Sequence, residues 1–247
     1  MGLAGATILQ VAPELASGGV ERTTIEVAEA LCAAGARALV ASAGGRMERD
    51  LERVGGELIC LPTAASKNPV HVIANAARLS RLAREFGVGL IHARSRAPAW
   101  SALWAARAVR RPFVTTYHGV YNGRTSLKRF YNSVMARGDV VIANSEFTAS
   151  HIRAEHPRSA PRIVAIPRGV DIARFSPVAV TADRLAALSA DWRIETGKAG
   201  VVILLPARMT RWKGHALAVF AALKLSGRDL PPWRMVFAGD EGPRTEY

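Results

Sequence analysis

A chain of 247 residues with 49% hydrophobic residues can bury a large core, which excludes an intrinsically disordered protein. Its formal net charge of +13 favours anionic partners, namely phosphorylated ligands, acidic lipid surfaces or nucleic acid. No run approaches the roughly 18 consecutive apolar residues of a spanning helix, and the first residues lack the basic and apolar regions of a signal peptide, so we expect a cytoplasmic protein.

Short apolar runs alternate with longer segments of helical periodicity in the first two-thirds of the chain. The predicted strands are 6–11, 38–42, 58–61, 90–93, 113–117, 140–143 and 163–166. Most of them are continuously apolar, as in strands that are covered on both faces. The predicted helices are 20–34, 70–86, 97–109, 126–136 and 147–154. This alternation predicts a doubly wound α/β fold, a Rossmann-like domain over residues 1–178.

A second domain is predicted to begin after a linker. Residues 179–198 are rich in Ala, Arg and Asp and indicate a linker with a short helix. A strand at 201–205, a helix at 215–225 and a strand at 234–238 then begin another sheet, over residues 199–247. Each strand-crossover-strand unit needs roughly 30 residues. We therefore expect a partial second domain, and a chain that is a C-terminally truncated fragment.

The first predicted strand leads into a loop with paired glycines, Gly18 and Gly19, and a helix begins at once. Glycines let backbone N–H groups approach an anion closely, and the helix N-terminus adds roughly half a positive charge. The loop matches neither the dinucleotide-binding fingerprint nor a P-loop. A phosphate or sugar contact and a simple tight turn therefore both stay open.

Three side chains follow predicted strands, at the edge where open α/β sheets place their ligand crevice. His118 follows the strand 113–117 and can hydrogen-bond a substrate hydroxyl, although a loop histidine bonded within the protein is the alternative. Arg94 and Arg96 follow the strand 90–93, and their planar guanidinium groups suit a carboxylate or phosphate. Surface arginines are common in basic proteins, so solvated side chains remain the alternative for both.

The start of the second domain carries two cations and two glycines of interest. Arg208 and Lys213 stand between the strand 201–205 and the next helix, where they can stabilise a diphosphate as negative charge develops. Gly239 and Gly242 follow the strand 234–238, as glycines do in nucleotide-binding turns, which is a weak signal by itself.

The sequence offers no pattern for metal binding. Its six histidines form no His-x-x-x-His or His-x-His pair, and Cys32 and Cys60 have no neighbour at metal-ligand spacing. We therefore expect no metal ion, and we expect both cysteines to be small buried side chains.

Taken in order, these motifs resemble family 4 glycosyltransferases of the GT-B fold. The resemblance covers nearly the whole chain, and its most specific part is the segment 166–177, which reads Ile-Pro-Arg-Gly-Val-Asp-Ile-Ala-Arg-Phe-Ser-Pro. Arg168 stands in that segment where the family usually has asparagine. The other matching motifs are the glycine loop, Tyr117-His118-Gly119, Asn144-Ser145, Arg208 with Lys213-Gly214, and Gly239-Asp240-Glu241-Gly242-Pro243.

The resemblance implies a retaining enzyme that needs no metal or other cofactor and transfers a sugar from a nucleotide-diphosphate sugar. It implies that Gly18 and Gly19 face the donor diphosphate and that His118 is a catalytic residue at the transferred sugar. The second domain would hold most of the donor, through Arg208 and Lys213 at the diphosphate and Gly239 and Gly242 on the nucleotide side. The acceptor would lie mainly on the first domain, where Arg94 and Arg96 are candidate contacts.

Three segments, 61–69, 92–100 and 115–121, look like bacterial enzymes of envelope polysaccharide or lipopolysaccharide assembly. This likeness implies a glycan or glycolipid acceptor. The family's paired glutamates, Glu-x7-Glu in the second domain, are not reached before Tyr247. Because substrate positioning contributes roughly 7 kcal/mol or more to catalysis, we expect this chain alone to be nearly inactive.

Two other functions stay open at this point. A nucleic-acid-binding module would use the positive charge, but the arginines are scattered and match no recognised motif, so we expect no nucleic-acid partner. A non-catalytic remnant that binds an acceptor, or that contacts acidic lipid at the inner face of the plasma membrane, would need only the first domain.

Overall fold

The computed structural model describes residues 2–121, 123–194 and 200–239. The chain divides into two compact units, Met1–Gly169 and Val170–Tyr247. The predicted linker over residues 179–198, and the domain limits at 178 and 199 that go with it, stay predictions.

The first unit is built on a parallel sheet of seven strands. The strand order is β3-β2-β1-β4-β5-β6-β7, and every neighbouring pair is parallel. All seven predicted strands are present, each within one residue at either end, which confirms the predicted α/β class. The strands are β1 Thr7–Val11, β2 Arg37–Ser42, β3 Glu57–Cys60, β4 Leu90–Ala93, β5 Phe113–Tyr117, β6 Val140–Ala143 and β7 Ile163–Ala165.

Helices connect these strands as crossovers. They are α1 Gly19–Ala33, α2 Glu48–Arg53, α3 Pro69–Glu85, α4 Arg96–Ala108, α5 Ser126–Asn132 and α6 Glu146–Glu155. Short 3-10 helices follow α5 and α6, at Ser133–Arg137 and Pro157–Arg162. The sequence analysis did not predict α2. With six residues and Leu51 as its one buried side chain, α2 is too short to show a helical period.

The core of this unit forms two clusters because successive side chains of a strand point to opposite faces of the sheet. On β2, Leu39 belongs to the larger cluster and Val40 to the smaller one. Leu79 of α3 and Leu103 of α4 pack into the larger cluster, whereas Ile25 of α1 packs into the smaller one. Because both faces of the sheet are covered, the strands are apolar at successive positions.

The expectation that both cysteines are buried is wrong for Cys60, which is exposed. Cys60 ends β3, and β3 lies at an edge of the sheet, where one side of the strand has no neighbour. Cys32 of α1 is partly buried.

The second unit contains two parallel strands, β8 Val201–Pro206 and β9 Trp233–Ala238, paired in register from Val201 with Trp233 onwards. Its helices are α7 Ala182–Asp191 and α8 His215–Leu225, with 3-10 helices at Pro177–Ala179 and Arg211–Lys213. Across the ranges that the structure describes, no helix is both long enough and apolar enough to span a membrane.

Candidate functional site

The carboxyl ends of β1, β4 and β5 are neighbours in the sheet of the first unit. The chain runs from β1 outward to β2 and β3, and it then returns to the other side of β1 as β4. The order of the strands therefore reverses between β1 and β4. In open α/β sheets the ligand crevice lies at the carboxyl ends on either side of such a reversal.

The glycine loop lies at this reversal, between β1 and α1. Gly18 precedes the first helical residue and has φ 140° and ψ 178°, a conformation that is essentially restricted to glycine. A Cβ atom on Gly18 would also lie 2.7 Å from Oε2 of Glu21. The loop therefore brings backbone close to the N-terminus of α1, where the first N–H groups have no partner within the helix. These N–H groups favour an anion, and the Glu21 carboxylate beside Gly18 is an opposing charge at this position.

Arg94 follows β4 at the same edge, and the structure buries it rather than leaving it solvated. Its side chain is 2% exposed, and its Nε and Nη2 atoms have no hydrogen-bond partner among the described residues. Burial lowers the pKa of Arg94 to about 10, with a further decrease from the charge of Arg168 and an opposing increase from Glu26. The group is therefore a cation at neutral pH.

His118 follows β5 and is also directed away from solvent. Its Nε2 atom is buried and has no hydrogen-bond partner in the part of the chain that the structure describes. Burial, together with the charges of Arg94 and Arg168, lowers the pKa of His118 to about 3. The imidazole is therefore neutral at physiological pH and can donate or accept one hydrogen bond at Nε2.

His92 on β4 is hydrogen-bonded to the neighbouring strand β5. Its Nε2 atom lies 2.8 Å from Oγ1 of Thr116 on β5. Burial first, and then the positive charge of Arg94, lowers the pKa of His92 well below its ordinary value. His92 is thus a neutral core residue with a bonding partner, in contrast to His118, whose buried Nε2 has none among the described residues.

Arg96 contacts side chains of the first unit. The Nη1 atom of Arg96 donates a hydrogen bond to Oδ1 of Asn132 at 2.9 Å, and its guanidinium lies 4.2 Å from the centre of the Tyr121 ring. Both contacts hold the side chain within the protein. Whether Arg96 contacts an acceptor stays a prediction.

Sequence reasoning missed Arg168, which had been noted only as a departure from the usual asparagine. The Nη2 atom of Arg168 donates a hydrogen bond to the carbonyl oxygen of Gly19, and a Cβ atom on Gly19 would lie 2.7 Å from Nη1. Arg168 thus reaches the glycine loop from the segment after β7. Its position within the family-like segment 166–177 was the available signal.

The cations of the second unit lie on its strand-to-helix connection. Arg208 follows β8 and is exposed, and Lys213 is exposed with Nζ 4.5 Å from the centre of the Trp212 ring. Gly214 has φ 83° at the start of α8, in the left-handed region that favours glycine. This connection presents two cations next to the N-terminus of a helix of 11 residues.

The glycine after β9 packs closely against the end of β8. A Cβ atom on Gly239 would collide with the backbone carbonyl of Ala207 and would lie 3.2 Å from the backbone nitrogen of Arg208. The carboxyl ends of β8 and β9 are therefore in close backbone contact. Gly242 lies outside the described residues. Within those residues, no three His, Cys, Asp or Glu side chains are grouped as metal ligands.

Comparisons with known proteins agree on the type of fold. The sequence model of Glycosyltransferase Family 4 matches residues 17–174. A glycosyltransferase from Rickettsia africae is 38% identical, with a TM-score of 0.79 over 96% of this chain and 61% of its own. Anabaena HepE, solved with UDP and glucose, is 22% identical, with a TM-score of 0.75 over 96% of this chain and 61% of its own.

A more distant structure is the lipopolysaccharide outer core galactosyltransferase WaaB, which is 14% identical, with a TM-score of 0.58 over 97% of this chain and 62% of its own. The similarity of HepE and WaaB extends to the fold alone. A search of curated protein sequences gave no significant match. This chain spans about three-fifths of the length of the solved relatives described here.

Proposed function

Because this chain belongs to glycosyltransferase family 4, we propose that it forms the acceptor-side unit and part of the donor-side unit of an enzyme that transfers a sugar from a nucleotide-diphosphate sugar. The donor class is supported by the complex of HepE with UDP and glucose. The observation that carries the proposal is the convergence of the glycine loop, the α1 N-terminus and the unpartnered Nε2 of His118 on one edge of the sheet.

In the proposed reaction, a hydroxyl oxygen of the acceptor forms a bond to the anomeric carbon of the donor sugar. The bond from that carbon to the diphosphate breaks, and the nucleoside diphosphate leaves with the electron pair and takes up the hydroxyl proton. We infer retention of the anomeric configuration from the family resemblance. No step in this scheme requires a metal ion, since cationic side chains and helix N-termini can stabilise the departing diphosphate.

The residues of the first unit have distinct proposed roles. Gly18 and Gly19 would allow the diphosphate to approach the N-terminus of α1. Neutral His118 would hydrogen-bond a hydroxyl of the transferred sugar, because its Nε2 is buried and unpartnered among the described residues. A neutral imidazole suits a sugar hydroxyl, which carries no charge to attract a cation.

The second unit would provide the charge stabilisation at the leaving group. Arg208 and Lys213 are exposed and lie on the connection from β8 to α8, where Lys213 directly precedes the N-cap Gly214. Such groups become more effective as charge develops in the transition state, which raises turnover rather than only binding. Gly239 and Gly242 are proposed to lie on the nucleotide side of the donor.

For the acceptor, we propose a glycan or glycolipid of the bacterial envelope. This part rests on the likeness of segments 61–69, 92–100 and 115–121 to envelope enzymes. A cytoplasmic enzyme of this kind would meet a glycolipid at the inner face of the membrane. The exposed Leu127 and Phe130 of α5, which flank Lys128 and Arg129, favour contact with acidic lipid there.

The test is sugar transfer by a chimera whose second unit is extended with the corresponding remainder of the Rickettsia africae glycosyltransferase. Release of nucleoside diphosphate and formation of product are measured with a panel of nucleotide sugars and envelope acceptors. We expect alanine at His118, Arg208 or Lys213 to lower turnover about 100-fold, as loss of one preorganised donor does. The matched control R111A removes an exposed arginine before β5 and should retain turnover. Unchanged turnover in all three variants would contradict these roles.

A further inference from the structure

The crevice of the first unit contains a buried cation that the proposed diphosphate contacts do not use. Arg94 is 2% exposed, and neither Nε nor Nη2 has a hydrogen-bond partner among the described residues. A buried charge without partners is far less stable than the same charge in water. Arginine at this position therefore needs a reason other than the stability of the fold, and an anion that enters the crevice would compensate it.

A second guanidinium, that of the exposed Arg168, lies at the same strand end, because the N–H of Arg94 donates to the carbonyl oxygen of Val11, the last residue of β1, and Arg168 contacts the loop that follows β1. Arg168 is held at the glycine loop by the hydrogen bond from its Nη2 atom to the carbonyl oxygen of Gly19. This hydrogen bond places Arg168 on the loop after β1, and its positive charge adds to burial in lowering the pKa of both Arg94 and His118. The absence of a side chain on Gly19 is needed here, since a Cβ atom would lie 2.7 Å from Nη1 of Arg168.

The carboxylate that acts on the charge of Arg94 is shared with another arginine. Glu26 is the carboxylate that raises the pKa of Arg94, and Glu26 also lies 3.4 Å from Nε of Arg22 in an ion pair. Its charge is therefore shared with a third arginine. The N-terminus of α1, a helix of 15 residues, adds partial positive charge on the side of Gly18 and Gly19, and the Glu21 carboxylate in its first turn opposes that charge.

We infer that Arg94 and Arg168 form a subsite for one phosphate or carboxylate group that a sugar substrate carries in addition to the donor diphosphate. Two guanidinium groups offer the paired donors that planar or tetrahedral oxyanions accept. The group is either on the acceptor or on the transferred sugar, as in a sugar acid. The inference rests on the proposed function, because it names a chemical property of the substrate of the same crevice.

Binding to the 247-residue chain tests this subsite without sugar transfer. The probes are glucose, glucose 6-phosphate and glucuronate, and the affinities are measured by calorimetry or NMR titration. We expect at least one charged probe to bind about 10-fold or more tightly than glucose, since a hydrogen-bonded charge pair is worth a factor of this size or more. R94M and R168N should each abolish that preference. R111N, which removes one exposed positive charge as R168N does, should keep it.

Several results would overturn the inference. They are equal binding of all three probes, a preference that survives in both R94M and R168N, and displacement of the charged probe by saturating pyrophosphate, which would place the two arginines in the diphosphate site. Circular dichroism of each variant shows whether it is folded, so that a lost preference is not mistaken for unfolding. Because this test measures binding, a negative result would not contradict the proposed sugar transfer. An inactive chimera, in turn, would not contradict the subsite.

Two further binding measurements identify which substrate carries the anionic group. Tighter binding of UDP-glucuronate than of UDP-glucose, lost in R168N, would place the group on the transferred sugar. If glucose 6-phosphate binds with the same affinity in the presence of saturating UDP-glucose, the anionic group belongs to the acceptor. Comparison of glucuronate with glucose 6-phosphate then separates a carboxylate from a phosphate.

Discussion

Replacement of Arg94 by methionine should stabilise the protein while removing a functional cation. Burial and neighbouring charge lower the pKa of Arg94 from 12.5 to about 10. One pKa unit is equivalent to about 1.4 kcal/mol, so the charged form is about 3 kcal/mol less favourable in the folded state than in the unfolded state at pH 7. Methionine keeps an unbranched apolar stem of similar length without the charge. After allowance for lost contacts of the guanidinium, we expect R94M to raise the free energy of unfolding by about 1–2 kcal/mol.

Urea denaturation at pH 7 measures this difference, with an unchanged m-value as evidence that the denatured state is comparable. R111M is the matched control, and we expect it to shift stability by less than about 0.5 kcal/mol because Arg111 is exposed. Since the folded pKa of Arg94 lies below the unfolded one, the wild type should gain stability relative to R94M as the pH rises through 10. An R94M protein that is less stable than the wild type by 1 kcal/mol or more would refute the reasoning, because the guanidinium would then have structural partners.

Three further predictions concern the same unit. The pKa of His118 is about 3 in the folded state and 6.5 ordinarily, so its contribution to stability is complete above pH 6.5 and is lost as the pH falls from 6.5 to 3. Between pH 7 and 4, the free energy of unfolding should therefore fall by about 3 kcal/mol less in H118N than in the wild type, as measured by chemical denaturation. G18A should destabilise the protein by about 1–3 kcal/mol through its backbone conformation, whereas G19A, which displaces only the end of a flexible arginine, should cost less than half as much. Flotation with acidic vesicles should show binding that weakens as salt rises and that falls in a double variant, L127S with F130S; binding of equal strength to neutral vesicles would argue against this surface.

The strands of the first unit could be predicted because each is a continuous apolar run between turn residues. Both faces of the sheet are covered, so Leu39 and Val40 of β2 are both buried although they point in opposite directions. The same rule misled the prediction for Cys60. A local pattern identifies a strand but carries no information on its place in the sheet, and β3 lies at an edge.

The sequence could predict which residues lie at the carboxyl edge of the sheet, but it could not predict the environments of their side chains. Gly18, Gly19, Arg94 and His118 follow strands, and this could be read from sequence. The burial of Arg94 depends on how the loops after β1 and β4 pack, and no local pattern separates it from a solvated arginine. The contact of Arg168 with Gly19 joins residues 149 positions apart. β7 lies at an edge of the sheet with three strands between it and β1, so neither a local pattern nor the strand order predicts this contact.

The features that disfavour folding coincide at this edge of the sheet. Gly18 has a conformation that other residues rarely adopt, Arg94 is a buried cation whose Nε and Nη2 have no partner among the described residues, and burial together with two arginine charges keeps His118 neutral. Elsewhere in the same unit, His92 is buried with a partner at 2.8 Å. Natural proteins depart from locally favourable choices mainly where function requires it. A crevice that keeps two guanidinium groups beside one neutral imidazole is therefore suited to a ligand that has both anionic and hydroxyl groups, and a sugar with an acidic substituent has both.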